Sequence, residues 1–129
     1  MVETKIFRLK DISRSFATRM RGQEAIKHLY ETLQATNTEK VMVDWRGVSA
    51  ASPSFIDEFV GAVCGAIQRG YLNNRDVIFT GEDHHIIELI DTILQRRGCL
   101  IEYALNPEDV LRGELSALGD PTRPRPIPA

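Results

Sequence analysis

The fold of this chain is decided by one stretch, residues Lys40–Gly70, which reads KVMVDWRGVSAASPSFIDEFVGAVCGAIQRG. Its apolar run Val41–Val43 is continuous rather than alternating, which is typical of a strand covered on both faces. The following Ser52–Ser54 predicts a helix start, because serine supplies a capping oxygen and Pro53 loses no needed N–H at the first helical position. Apolar residues then recur at helical spacing until Gly70, which predicts a left-handed helix end. We therefore predict a buried strand, a turn and a long helix.

Strands and helices alternate on both sides of this stretch. Before it, we predict a short edge strand over residues 5–10 and a helix from about Ala17 to Ala35. After it, we predict a strand over Asp76–Thr80, a helix to about Arg97, a strand over Cys99–Leu105 and a short helix opening at Asn106. This order predicts an α/β single-domain layer fold, with an about four-stranded, mostly parallel or mixed sheet and right-handed crossovers. The domain is expected over residues 1–118, with a disordered proline-rich tail over residues 119–129.

Composition narrows the class of protein. The 129 residues carry a net charge of -2, which gives no reason to expect a nucleic-acid partner. Residues 1–22 are the exception, since they hold six basic and two acidic residues, but solvated charge explains such a cluster as well as an anionic partner does. The polar start resembles no signal peptide and no apolar run is long enough to span a membrane. We therefore expect a cytoplasmic protein with no membrane partner.

Two groups of residues invite a metal or redox interpretation. Cys64 and Cys99 are too far apart in sequence for a CxxC pair, and their apolar surroundings favour buried, reduced thiols. The run Glu82–His85 contains four potential ligands, but neighbouring histidines at a helix start rarely bind one ion, so Asp83 is expected to be a helix cap. We expect neither a metal nor a cofactor.

The segment VMVDWRGVSAASPSFIDEFVG resembles the STAS superfamily, and more closely the STAS-like family of domains of unknown function. Members share a strand that ends in an Asp-aromatic pair, a valine shortly afterwards, and a Ser-Phe pair followed by Asp and Glu. The matching residues here are Asp44, Trp45, Val48, Ser54, Phe55, Asp57 and Glu58. Arg19 and Gly22 would fill an arginine-glycine element of the first helix, and the resemblance covers about residues 5–105.

The resemblance implies a non-enzymatic bacterial signalling module. The superfamily includes anti-sigma-factor antagonists, which bind a histidine-kinase-like ATPase and are released when the ATPase phosphorylates a serine at a helix start. Ser54 falls on that serine in a gap-free alignment, while Ser52 and Phe55 replace an aspartate and a glycine. Ser54 is therefore the candidate phosphorylation site. The implied partner surface spans Ser49–Glu58 and Gly61.

The same residues admit other interpretations. Ser52 and Ser54 would both serve as caps alone, and Asp57 and Glu58, about 100° apart on a helix, do not converge as an acid–base pair. Asp44 and Trp45 are expected to support the loop structurally. The alternative function is a small nucleotide-binding protein or hydrolase, which would use Asp44, Ser54 and the N-terminal arginines Arg14, Arg19 and Arg21. A homodimer formed through the face that carries Gly61 and Gly65 is a further possibility.

Overall fold

The computed structural model of the protein describes residues 4–12, 15–35, 40–48, 50–73 and 76–122. The elements are β1 (Thr4–Arg8), α1 (Leu9–Ile12), α2 (Arg19–Ala35), β2 (Lys40–Asp44), α3 (Pro53–Gln68), β3 (Val77–Thr80), α4 (His84–Arg97), β4 (Ile101–Ala104), α5 (Pro107–Leu111) and β5 (Ser116–Leu118). The predicted alternation is confirmed. None of the helices in these described ranges is long and apolar enough to cross a membrane.

The five strands form a single sheet in the order β1-β2-β3-β4-β5. The first four strands are parallel, and β5 is antiparallel to β4. The α/β class is therefore confirmed, and β5 is an added strand that the sequence pattern did not predict, because three residues are too few to show a period. Every parallel crossover steps in the same direction along the sheet. Right-handed crossovers of this kind place α2, α3 and α4 on one face.

The core lies between that face and the three helices. Alternate strand residues, including Phe7, Val43 and Phe79, join the buried faces of α2, α3 and α4 in one apolar cluster. All residues of β3, and all of β2 except Lys40, are buried, as their continuous apolar runs predicted. Phe59 is at the centre, with its ring centroid 6.4 Å from that of Phe7 and 5.6 Å from that of Trp45.

The start of α2 shows how closely the helices approach each other. The helix predicted from about Ala17 to Ala35 is α2, which begins at Arg19 although Gly22 lowers the helix propensity of its first turns. A Cβ atom at Gly22 would lie 2.9 Å from Glu58 Cβ and 3.0 Å from the Phe55 carbonyl oxygen. Glycine is therefore required here by the contact between α2 and α3, which outweighs its propensity cost of about 1 kcal/mol.

The C-terminal end of α3 is a Schellman motif. Gly70 has a φ of +80°, its N–H donates to the Ile67 carbonyl over 3.1 Å, and the Tyr71 N–H donates to the Ala66 carbonyl over 2.8 Å. The helix end predicted at Gly70 is thus confirmed. The motif also turns the chain back, so that residues 71 and 72 pack beside the last turns of α3.

The C-terminal end of the described chain is hydrogen-bonded to α4. Gly119 is buried, and its N–H donates to Asp91 Oδ1 over 2.7 Å. Its φ of +90° and its position against the Cys99 carbonyl leave no room for a side chain. The packed chain therefore continues through Gly119, the residue at which the disordered tail was expected to begin. Residues 123–129 of that expected tail lie outside the described residues.

Candidate functional site

Ser52 is the N-cap of α3. Its Oγ accepts a hydrogen bond from the Phe55 N–H over 3.1 Å and donates one to the Ala17 carbonyl over 2.8 Å. Its backbone N–H donates to the Phe16 carbonyl over 2.8 Å. Ser52 therefore performs the predicted capping and also ties the start of α3 to the segment that leads into α2.

Ser54 has a different environment from Ser52. It occupies the second position of α3 and is half-buried. The Ser54 hydroxyl forms no hydrogen bond with any described residue. Ser49, the first residue of the predicted partner surface, lies outside the described residues. The two serines thus have separate roles, since Ser52 alone caps the helix.

Asp57 and Glu58 are held by cations from the neighbouring helices. Arg19 Nη1, from α2, lies 3.0 Å from Asp57 Oδ2 and 3.3 Å from Glu58 Oε2. Arg97 Nη2, at the end of α4, lies 3.2 Å from Asp57 Oδ1, and Gln23 Nε2 donates to Glu58 Oε1 over 3.1 Å. The hydrogen bond from Arg19, with help from Arg97, lowers the pKa of Asp57 despite its partial burial. These carboxylates link three helices, and the point at which they meet is occupied by Arg19 Nη1.

The glycine face of α3 is only partly open. A Cβ atom at Gly61 would lie 2.8 Å from the guanidinium carbon of Arg97, so the Arg97 side chain covers this position. At Gly65, by contrast, a Cβ atom would meet nothing within 4 Å. The protein's own arginine therefore occupies the half of this face that lies nearest to Ser54.

The buried carboxylate of Asp44 pairs with the partly exposed Arg46 at the carboxyl end of β2. Arg46 Nη2 lies 2.8 Å from Asp44 Oδ2, Arg46 Nε donates to both carboxylate oxygens, and Thr80 Oγ1 lies 3.4 Å from Oδ1. Burial by itself would raise the pKa of Asp44, but the hydrogen bonds and charge of Arg46 outweigh it and lower that pKa. Asp44 therefore bonds to Arg46 rather than to the Ser52–Ser54 loop.

Sequence reasoning missed three partners of Asp44, which are Arg46, Thr80 and Arg8, whose Nε lies 4.0 Å from Asp44 Oδ2. Arg46 lies only two residues along the chain, which was an available signal. Thr80 pairs with Asp44 in the register between β2 and β3, and a parallel alignment of the two strand ends would have placed them together. Trp45, the other predicted support residue, packs against Phe59 and Phe79, and its indole N–H has no hydrogen-bond acceptor among the described residues.

The remaining candidate residues have structural partners or lie outside the described chain. Arg21 pairs with Glu24 over 3.0 Å, and Arg14 falls outside the described ranges. Asp83 caps α4 by accepting from the Ile86 N–H over 3.1 Å, as predicted. Within the described ranges, no group of three or more His, Cys, Asp and Glu side chains is placed to hold a metal ion.

The two cysteines are buried, as predicted, but they are also neighbours. The interaction between the two neighbouring thiols raises the pKa of Cys64 and lowers that of Cys99. Burial adds to the increase at Cys64. Their wide separation in sequence gave no signal of this contact, which depends on the packing of α3 against the segment between α4 and β4.

Two cavities lie beside the loop before α3, and both are small. One measures about 180 Å³ and is lined by Trp45–Val48, Glu82 and Asp83. The other measures about 150 Å³ and lies between the start of α3 and α4. Small-molecule sites usually measure about 300–1,000 Å³. Ser54 lines neither cavity.

Comparison of the chain with protein-family models, with curated proteins and with solved structures finds no match. The resemblance to the STAS superfamily therefore rests on the sequence segment quoted above, and what it implies for function remains a proposal.

Proposed function

We propose that the protein is a non-enzymatic interaction module that binds a protein partner through the α3 surface, defined as Ser52, Ser54, Asp57, Glu58 and Gly61. The partner class implied by the STAS resemblance is a histidine-kinase-like ATPase of a bacterial signalling pathway. Ser54 is then the hydroxyl that the ATPase phosphorylates.

The observation that carries this proposal is the environment of Ser54. Because Ser52 supplies the helix cap, the Ser54 hydroxyl is not needed to hold α3, and it has no hydrogen-bond partner among the described residues. A phosphate would add about -1.5 to -2 charges beside the N-terminal amides of α3, where the helix dipole tolerates negative charge. The same charge would repel an acidic surface of a partner.

The ion pairs around Asp57 support the same conclusion. Arg19 and Arg97 fix the orientation of Asp57, so the α3 surface is organised before any partner binds. A helix surface whose side chains are already paired suits protein recognition, because less side-chain freedom is lost on binding.

The alternative, a nucleotide-binding protein or hydrolase, has less support. Asp44 is buried and bonded to Arg46, and Arg19 and Arg21 are paired with carboxylates. An enzyme site also requires a concave pocket with converging polar groups. The two cavities beside the loop are below the usual size of such a pocket.

The test compares capture of partners from native extract by wild type, Ser54→Ala, Ser54→Asp and the control Ser116→Asp, which places the same charge at the exposed first residue of β5. Wild type, Ser54→Ala and the control are expected to retain an ATPase-type protein that Ser54→Asp loses. The captured protein, supplied with ATP, is expected to phosphorylate wild type at Ser54, as located by mass spectrometry.

Two outcomes contradict the proposal in different ways. If all four proteins retain the same ATPase, the partner surface stands but Ser54 is not a switch. If no variant retains any protein, the interaction module itself is wrong.

A further inference from the structure

A larger cavity lies at the opposite end of α3 from Ser54. It measures about 550 Å³, which is within the usual range of small-molecule sites. The C-terminal turns of α2 and α3 and the residues after Gly70 form its walls, and the lining residues are Tyr30, Leu33, Gln34, Ala66, Arg69, Tyr71 and Leu72. Ala66 is twelve residues from Ser54, or about 18 Å along a helix. The cavity is therefore separate from the α3 surface.

The Schellman motif builds one wall of this cavity. Tyr71 and Leu72 both donate their backbone N–H to the Ala66 carbonyl, over 2.8 Å and 3.2 Å. These bonds hold the two residues beside the last turn of α3, facing Tyr30 and Leu33 on α2. The wall is thus fixed by backbone hydrogen bonds.

The chemistry of the lining is apolar with a few polar groups. The aliphatic surface comes from Leu33, Ala66 and Leu72. The side chains of Tyr30 and Tyr71 are 37% and 79% exposed to solvent. Aromatic rings left open in this way give a flat ligand a large contact area, and their hydroxyls remain free to reach solvent or a polar group.

Arg69 is the charged residue of this lining. No ion pair to Arg69 is present among the described residues. Its planar guanidinium matches a carboxylate or sulfonate in a bidentate arrangement. Charge complementarity therefore selects an anionic ligand.

We propose that this cavity binds a small planar aromatic anion, with the ring against Tyr30 and Tyr71 and the anionic group on Arg69. This site does not depend on the function proposed for Ser54, and the two are tested separately.

The probe for this site is 8-anilinonaphthalene-1-sulfonate, an aromatic anion whose fluorescence rises in apolar surroundings. Wild type is expected to bind one dye molecule saturably, and benzoate is expected to displace it while benzamidine, an aromatic cation of similar size, does not. Arg69→Glu is expected to weaken dye binding by about tenfold or more, because it replaces a charge-assisted contact with repulsion. In that variant benzamidine should bind in preference to benzoate.

The matched control is Arg96→Glu, which makes the same charge change at an exposed arginine of α4. This control is expected to keep dye affinity within about twofold of wild type. Arg96 does not line the cavity, so its charge affects the dye only through long-range electrostatic interactions that salt screens. Circular dichroism and a cooperative thermal transition establish that each variant is folded, and Arg69→Gln replaces Arg69→Glu if the latter is not. Equal dye binding by wild type and the Arg69 variant, equal competition by benzoate and benzamidine, or absence of saturable binding by the folded wild type would each overturn the proposal.

Discussion

Asp44 is the carboxylate that the fold removes most completely from water. Its side chain is 2% exposed, whereas the guanidinium side chain of its partner Arg46 is 40% exposed. Breaking a fully buried ion pair typically costs about 3–5 kcal/mol, because the remaining charge is left unpaired. Solvent around Arg46 reduces that penalty.

Asp44→Asn is therefore expected to lower the free energy of unfolding by about 1–3 kcal/mol at neutral pH, measured by urea denaturation. The control, Asp11→Asn, removes an exposed carboxylate from α1 and is expected to change stability by less than about 0.5 kcal/mol. Equal effects of the two substitutions would show that the Asp44–Arg46 pair contributes nothing specific.

The pH dependence of the Asp44 effect follows from its lowered pKa. Folding depresses this pKa below the ordinary value of 3.8, so the pair contributes its full stability above that pH. The contribution is lost as the pH falls through the folded-state pKa. The difference in stability between wild type and Asp44→Asn is therefore expected to shrink below pH 3.8. A difference that stays constant to about pH 2 would mean that the asparagine disturbs packing instead.

Single-residue roles were predictable where the signal was local. Ser52 and Asp83 each precede a helical pattern, and both form the cap that their position predicts. The contact between Cys64 and Cys99 was not predictable, because it depends on how a helix packs against a strand distant in sequence. The same limitation applies to Arg97, whose position over Gly61 requires the arrangement of α3 and α4.

At the level of elements, Ser52 and Ser54 have the same side chain but different roles at the start of α3. Ser52→Ala removes the capping oxygen and the bond to Ala17, so it is expected to cost about 1–2 kcal/mol. Ser54→Ala removes a hydroxyl without a described partner and is expected to change stability by less than about 0.5 kcal/mol. Thermal or urea denaturation of both variants checks this difference. Similar losses for the two would indicate that both serines hold the helix start.

Element boundaries were less predictable than element types. The continuous apolar runs of β2 and β3 identified both strands, and the glycine at the end of α3 fixed its last turn. Gly22 lowers the helix propensity of the first turns of α2 without moving the start of the helix, since its local cost is offset by a contact with Glu58 and Phe55. Propensity describes the isolated helix and contains no information about such a neighbour.

At the scale of the whole molecule, Gly119 packs the end of the last strand against α4 and Cys99. Gly119→Ala is expected to destabilise the fold by about 3 kcal/mol or more, because the φ of +90° is strained for alanine and the new methyl group would collide with the Cys99 carbonyl. Gly113→Ala, at a φ of +72° in open space, is the matched control and is expected to cost about 1–2 kcal/mol. Denaturation midpoints measure both effects. Equal losses would show that the close packing at Gly119 contributes little.

The function was less predictable than the fold. The alternation of elements was sufficient to predict the α/β class, whereas the cavity beside Tyr30 and Tyr71 is formed by residues from two helices that are distant in sequence. A single sequence shows which residues share a helix face. It does not show that the ends of α2 and α3 leave a space between them.

The order of strands in the sheet bears on how the chain is made. A ribosome releases β1 first and β5 last, and the partner of each new strand is the strand released just before it. When each strand leaves the ribosome, the strand with which it pairs has therefore already been synthesised, and pairing requires no later segment. The protein is suited to vectorial assembly during translation, in which the growing sheet always offers the next docking position.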